Sequence, residues 1–536
     1  MRRRLRRAPA RAATATSARA PEQPRRRLHP HRRHLLGCVV IVVATATAIS
    51  VGAINVVSTI AADFALGGTP LDSRDLTPAQ AGQPQTILVI GDDHIGKTTT
   101  YATGAEQDVN GVHLLHADTF MLVRMDPTQK QTSILSIPRD LLVSFTWKGV
   151  PYTNQKFNSA YSIGRDDLVK QVALATLPGI TINHVIDFNF ASFLGLVDAI
   201  GCVYVDVDQR YYNPPGDSYS PINIQPGYQR LCSNQALSYV RYRHTDSDFV
   251  RVARQQDFIR DAKEQLGVWG FLSKWSALAK AFGRAVWTDI RTPQAIAALL
   301  YLAAFSQSKP LREVPFKVAN PAYQINTPQG PEEAVLSTPQ LIRSSVENLL
   351  YKAPKATLPG STSGSASHAV THRRTHHASH HTSHHSTSVT NGTDDLYAIP
   401  ASVTAQALAI TPDVGVPVYL PSVQTGPAIP NDFHPYTIRD EQSRLHYGYR
   451  IDWSTGSEGE YYGIEGTNWT NPPLFANPNG TQTIGGRTYM FVDDGSAYHD
   501  IGWRERGVLY WVSNSLNETL SNAQLLAVAQ SARPIR

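Results

Sequence analysis

Residues 238–256, SYVRYRHTDSDFVRVARQQ, place Arg241, Arg243, Arg251 and Arg254 with His244, Asp246, Asp248, Gln255 and Gln256 in nineteen positions. Guanidinium groups are permanently charged, forked donors. Several of them converging on one spot suit a ligand rich in anionic oxygens, a phosphate or pyrophosphate above all. The alternative for the same residues is a solvated basic face paired with Asp246, Asp248 and Asp257. Alternation along a strand over 239–242 would put Arg241 and Arg243 on one face and leave Ala236, Leu237 and Val240 for the core. From Asp248 the spacing turns helical: Phe249, Val252, Ala253 and Phe258 form an apolar stripe, with Arg251, Arg254 and Gln255 beside it. A strand followed by a helix start is therefore the arrangement expected to bring guanidinium groups from two directions to one place.

Two further motifs bear on phosphate chemistry. Residues 91–98, GDDHIGKT, fit the pattern G-x-x-x-x-G-K-[ST] directly after a strand. Against nucleotide hydrolysis there, TTTYATGAEQDVNG is a poor helix and so a poor source of N-terminal amides, and Asp92 and Asp93 bring negative charge toward the phosphates. The other use of this loop is metal binding. Asp93 after the first strand and Asp118 before the second can meet at neighbouring strand ends, and two carboxylates plus phosphate oxygens suit magnesium. Two loop-capping aspartates are the simpler reading of that spacing.

The elements that must position these groups alternate between strand and helix. TILVI (86–90), TFMLVRMD (119–126), TSILSIP (132–138), HVIDFNF (184–190) and VYVDVD (203–208) read as strands, and 166–177 and 193–200 as helices. The expected fold is α/β, with a central mixed sheet flanked by helices over residues 84–268. Residues 269–352 read as a helical extension that packs on this domain. Residues 353–396 form a His, Ser and Thr-rich linker with eight histidines between His368 and His385, read as a disordered spacer in preference to a metal site, since it offers no fixed geometry. Residues 397–536 change to aromatic, β-prone runs split by Gly and Asn. They are expected to form a separate, mostly β domain closed by a helix over 521–532. Aromatics such as Trp469 or Tyr462 could stack on sugars if exposed, core packing being the plainer role.

Charge sets the topology. The chain carries +6 overall, but residues 1–33 hold twelve Arg and one Glu; subtracting that +11 leaves −5 for the rest. Basicity thus belongs to the tail, and nucleic acid is not an expected partner of the folded part. The run that follows has no charged residue until Asp63. Residues 35–60 are therefore expected to cross the membrane once, with the tail 1–34 cytoplasmic and everything after the spacer 61–83 outside. Outside the cell, Cys202 and Cys232 are expected to pair, two buried free thiols being the alternative.

Six segments in order resemble the LytR-CpsA-Psr family: IGDD (90–93), HADTFMLVRMDP (116–127), SIPRD (136–140), KFNSAYSIG (156–164), INHVIDFNFASFLGLVDAIGCVYVDVD (182–208) and QALSYVRYRHTDSDFVRVARQQ (235–256). The cysteine contexts and the C-terminal domain are similar to the actinobacterial branch. The resemblance implies a membrane-anchored phosphotransferase that takes a glycopolymer from a polyprenyl-pyrophosphate carrier and joins it to peptidoglycan, with pyrophosphate hydrolysis as a side activity. It implies Mg2+ or Mn2+ on Asp93 and Asp118, pyrophosphate contacts from Arg139, Arg241, Arg243, Arg251, Lys156 and Gln255, and an apolar pocket for the lipid. His116 stands where the family commonly has Arg, which trades a permanent fork for a single hydrogen bond. The readings from other classes are a polyprenyl-phosphate-binding module without turnover, a regulator of the transcription-attenuator type, and a nucleotide hydrolase built on the 91–98 loop.

Overall fold

The computed structural model describes residues 71, 73–78, 80, 82–92, 94–95, 100–101, 116–216, 221–307, 309–327, 330–351, 395–426 and 428–535. The basic tail, the expected membrane span 35–60, Asp93, the first ten residues of the spacer 61–83 and nearly all of the linker 353–396 lie outside them. Among the described residues no helix is long and apolar enough to cross a membrane.

The first half of the chain supplies β1 (Gln85–Asp92), β2 (Ala117–Asp126), β3 (Gln131–Ser136), the hairpin β4 (Leu142–Trp147) and β5 (Val150–Lys156), α1 (Ser159–Thr176), β6 (His184–Phe188), α2 (Phe190–Ile200) and β7 (Val203–Val207). Next come β8 (Gly227–Leu231), α3 (Ser233–Arg241), α4 (Asp248–Ala285), β9 (Val286–Thr288), α5 (Pro293–Gln307) and β10 (Leu311–Val314). One six-stranded mixed sheet runs β9-β6-β1-β2-β3-β10. Its middle strand β1 is buried along most of its length, and the near-continuous apolar run ILVI follows from helices covering both faces. Leu88, Ile90, Phe120 and Leu135 pack on one side with Leu168, Val169 and Val172 of α1. On the other side Ile87 and Ile186 meet Ile296 and Leu302 of α5.

Two expectations are corrected here. Residues 269–352 are not helical throughout: β9 and β10 are the edge strands of the central sheet, so this stretch completes the domain. Residues 239–242 are not a strand either. They end α3, in which Ala236, Tyr239 and Val240 are buried at helical spacing, with Arg241 in the last turn and Tyr242 as its C-cap. α4 has a break at Gly267, where φ is +53°. The described residues of the 91–98 motif lead into a two-residue strand pair, His94–Ile95 with Thr100–Tyr101, and not into the helix a nucleotide-binding loop requires.

The C-terminal region is a seven-stranded antiparallel sheet: β11 (Ile429–Arg439), β12 (Leu445–Ser454), β13 (Tyr461–Thr467), β14 (Gly480–Ile484), β15 (Arg487–Asp493), β16 (Tyr498–Glu505) and β17 (Val508–Ser513), ordered β11-β12-β13-β17-β16-β15-β14. The helix Asn522–Ser531 starts at Ser521, whose side chain forms a capping box with Gln524, and ends at Ala532. Trp469 and Tyr462 are buried, so both serve packing. Trp469 belongs to an aromatic cluster in which Tyr204 and Tyr228 of the α/β domain meet Tyr436, Phe475 and Trp511 of the β region. The two regions therefore share a core, and ion pairs sit beside it. Arg450 reaches Asp206 at 2.8 Å and Glu465 at 2.6 Å, and Trp511 Nε1 donates to Asp206 at 2.9 Å.

Candidate active site

The sheet and the helices α2, α3 and α4 enclose a cavity of about 320 Å³. Val89, Met121 and Ile186 line it from the strands, and Phe190, Phe193, Leu196, Leu237, Phe258 and Ile259 from the helices. At the strand ends the lining turns polar, with Asp92, Asp118, Thr119, Arg241, Arg251 and Gln255.

The register of β1 and β2 explains how Asp118 comes to face this space. Gly91 pairs with Thr119 but Asp92 pairs with Ala117, so Asp118 is the extra residue of a bulge, which re-aims its side chain. Gly91 lies so close to β2 that a Cβ there would sit 3.0 Å from Thr119 Cβ, so the close strand approach needs glycine. Arg139, just after Pro138, forms an ion pair with the Asp118 carboxylate and reaches Asp140 at 3.3 Å. From the first turn of α4, Arg251 donates to the Asp118 carbonyl at 3.0 Å, lies 3.7 Å from its carboxylate and pairs with Asp248. Gln255, one turn on, donates to Thr119 Oγ1 at 3.2 Å and to the Val240 carbonyl at 3.1 Å, tying α4 to β2 and α3. Arg241 stacks over the Phe190 ring at 4.1 Å. Burial opposes ionisation of Asp118, but Arg251 and Arg139 outweigh it and hold the carboxyl below its ordinary range.

The other residues singled out in the sequence stand apart from the cavity wall. Lys156 pairs with Glu332 at 3.0 Å and lies 3.8 Å from Asp140, which links it to Arg139 only through that carboxylate. His116 is partly buried, and its Nε2 has no hydrogen-bond partner among the described residues. Arg243 is half-buried beyond the end of α3, so the common face for Arg241 and Arg243 is lost with the strand that would have made it. Arg254 is wholly buried, paired with Asp246 and stacked 4.4 Å over Tyr211, a packing role. Cys202 and Cys232 form a disulfide that ties the start of β7 to the start of α3.

Sequence reasoning missed a buried triad below the polar end. The Tyr161 hydroxyl lies 2.9 Å from Asp92 and 2.8 Å from Asp187. One hydroxyl proton cannot serve two carboxylates. Burial, then the charge of Asp92, push the Asp187 carboxyl well above the ordinary range, so it keeps a proton and leaves Tyr161 to donate to Asp92. The available signal was an aspartate inside the apolar strand HVIDF.

Among the described residues no three His, Cys, Asp or Glu side chains gather closely enough to hold a metal. The Asp118 side chain, 39% exposed, does face the cavity. A single presented carboxylate fits magnesium, which takes one or two carboxylates and completes its shell with phosphate oxygens and water.

The profile of the LytR_cpsA_psr family matches residues 61–327. Over 228 residues the chain is 28% identical to the polyisoprenyl-teichoic acid–peptidoglycan teichoic acid transferase TagU of Halalkalibacterium halodurans, covering 42% of this chain and 67% of that protein. Over 297 residues it is 28% identical to the cell wall biosynthesis protein LcpA of Corynebacterium glutamicum, covering 49% and 55%. It is 30% identical over 176 residues to the teichoic acid transferase TagT of Bacillus subtilis, covering 32% and 50%. The chain thus spans between half and about two thirds of the length of these relatives.

Proposed function

Through residues 61–327 the chain belongs to the LytR-CpsA-Psr family, and from that premise we propose that it is a membrane-anchored phosphotransferase moving a glycopolymer from a polyprenyl-pyrophosphate carrier to peptidoglycan. The observation that carries this reading is one cavity with two characters. Its apolar wall suits an isoprenoid tail, and its polar end brings Asp118, Arg251 and Arg241 to where a pyrophosphate head would lie, with Arg139 paired to Asp118. Relatives named as transferases of polyisoprenyl-linked teichoic acid to peptidoglycan agree with that division.

In this mechanism a sugar hydroxyl attacks the glycan-linked phosphorus in line. The new P–O bond forms as the bond to the bridging oxygen breaks, and polyprenyl phosphate departs carrying the hydroxyl's proton. Arg139, Arg241 and Arg251 neutralise charge gathering on the equatorial and leaving oxygens, which is where fixed donors accelerate such a reaction. Gln255 holds α4 against β2, so that Arg251 stays at the phosphate end. Asp118, with Asp93 as the second carboxylate the family implies, would hold magnesium or manganese, which would supply further charge neutralisation when bound. Lys156 acts through Asp140 on Arg139, while a pyrophosphate role for His116 and Arg243, which stand apart from the cavity wall, rests on the family resemblance alone. The Cys202–Cys232 bridge supports an oxidising compartment, hence residues 35–60 spanning the membrane with the described domains outside the cell.

The test is reconstitution of the full chain in detergent with a polyprenyl-pyrophosphate-linked glycan and a peptidoglycan fragment. The expected result is cation-dependent formation of a phosphodiester-linked product together with polyprenyl phosphate, reduced by about 100-fold or more in Asp118→Asn and Arg251→Ala. Full activity in both variants removes the basis for this reading.

A further inference from the structure

A second cavity, of about 270 Å³, lies on the opposite face of the first two turns of α4. Phe249, Val252, Ala253 and Gln256 face it, whereas Arg251, Gln255, Phe258 and Ile259 face the first cavity. Spacings of three and four residues within each set divide one helix into two walls. One ion pair links the two walls: Asp248 lines the second cavity, and its partner Arg251 lines the first and touches Asp118. Pro138, also in the second wall, immediately precedes Arg139.

The far wall comes from the β region, through the turn that contains Asn517 and Glu518. Glu518 is held at φ +52°, a left-handed conformation that a side chain of this size adopts only when the surroundings impose it. Its Oε1 is buried and makes no hydrogen bond among the described residues, although His499 Nδ1 lies 3.2 Å away. The same turn is fixed to the start of α4. Asn517 Nδ2 donates to the Glu458 carbonyl at 3.2 Å, and the Glu458 carboxylate accepts from the Ser247 amide at 2.7 Å, satisfying a donor at the helix N-terminus.

Flat apolar faces from Phe249, Pro315 and Phe316 alternate here with carboxylate oxygens of Asp248, Glu313 and Glu518. Asp248 and Glu313 are already paired with Arg251 and Arg260, and burial pushes the Glu313 and Glu518 carboxyls up, so the wall is polar with little free charge. Such polar oxygens disfavour a bare hydrocarbon, while aromatic and proline faces beside them suit the C–H face and hydroxyls of a sugar ring. We propose that this cavity is the acceptor subsite, shared by the α/β domain and the β region, and that it takes one neutral pyranose unit of the acceptor glycan, presenting its free hydroxyl past Asp248 and Arg251 to the phosphorus. The assignment rests on the phosphotransferase reading. That hydroxyl oxygen bonds the glycan-linked phosphorus, the bond to the bridging oxygen breaks, and the proton leaves with polyprenyl phosphate.

The experiment uses the full chain in detergent, a polyprenyl-pyrophosphate-linked glycan and a soluble N-acetylhexosamine disaccharide as acceptor, with Phe316→Ala and Asn517→Ala as variants. Each variant is expected to raise the acceptor KM by about tenfold with kcat within about threefold of the parent, the signature of lost ground-state binding. Saturation-transfer NMR of the disaccharide alone should show binding to the parent and a loss of that signal in both variants. Asn517 is exposed, so its replacement leaves the fold standing if Phe316→Ala does not. Unchanged acceptor KM and unchanged saturation transfer in Asn517→Ala overturn the subsite. If the parent transfers nothing, the phosphotransferase reading fails, and the NMR comparison still decides whether the sugar binds here.

Discussion

Two ionic clusters in the described residues differ in exposure and in how their charge is balanced. At the strand ends, Arg139, Arg241 and Arg251 surround Asp118, and Asp118 remains 39% exposed. Between the α/β domain and the β region, Asp206, Asp261, Asp500 and Glu465 crowd around Arg450 and Arg260, all of them buried or nearly so. The first is open: Arg139 and Arg251 are also paired with Asp140 and Asp248, and the Asp118 carboxylate is presented to the cavity. The second is sealed and rich in acid. There burial, with neighbouring carboxylates, raises Asp261, Asp500 and Glu465 well above the ordinary range, and the cluster balances its charge by keeping protons. A functional site and a structural one are thus told apart by exposure and by how the charge is balanced, not by the number of ion pairs.

That contrast can be broken by substitution. Arg450→Met leaves Asp206 and Glu465 buried without their cation and is expected to cost about 3–5 kcal/mol of stability in urea unfolding. A loss under about 1 kcal/mol would mean that this cluster is wetter than its burial indicates. Arg139→Ala should do the reverse, lowering transfer by about 100-fold or more while leaving the urea midpoint close to the parent's. If the two variants exchanged phenotypes, the comparison would be wrong.

The two clusters should also respond oppositely to pH. Burial raises the Asp452 carboxyl, beside Arg450, to about 7. Between the ordinary carboxylate range and about 7 the folded state holds a proton that the unfolded chain has released. Stability contributed by this group is therefore complete at low pH and falls as pH rises to about 7, by roughly 1.4 kcal/mol per pH unit at most. Asp452→Asn should flatten that slope in the pH dependence of Tm. Asp118 is shifted downward, so its contribution is present above its ordinary value and is lost as pH falls through the depressed one. The smallest expected effect is that of Glu458→Ala, which removes an acceptor from the start of α4 and should cost about 0.5–2 kcal/mol, read from the unfolding midpoint. No change would detach the β region from the positioning of that helix.

Where local pattern decided structure, the sequence was legible. The apolar runs of β1, β2, β3 and β6 were visible, and so was the final helix, whose Ser521 and Gln524 announce a capping box. The gathering of Asp118, Arg251 and Gln255 could be anticipated from spacing and family resemblance together. The expected strand 239–242 failed for a physical reason: YVRY alternates like a strand, yet Ala236, Tyr239 and Val240 also obey helical spacing. The helix prevails because that face packs, with the Tyr211 ring 5.3 Å from Tyr239. Edge strands of three or four residues, such as β9 and β10, are too short to show any period. The Tyr161–Asp92–Asp187 triad and the interdomain cluster join residues far apart in the chain, a proximity that no local pattern encodes.

The central claim is that one cavity takes an isoprenoid tail and a pyrophosphate head together. Titration calorimetry of the full chain with farnesyl pyrophosphate in magnesium, repeated with farnesol and with the Arg251→Ala variant, tests it most directly. The account predicts that the parent binds the pyrophosphate at least about tenfold more tightly than either farnesol or the variant's pyrophosphate complex. Equal affinities in all three titrations would contradict it.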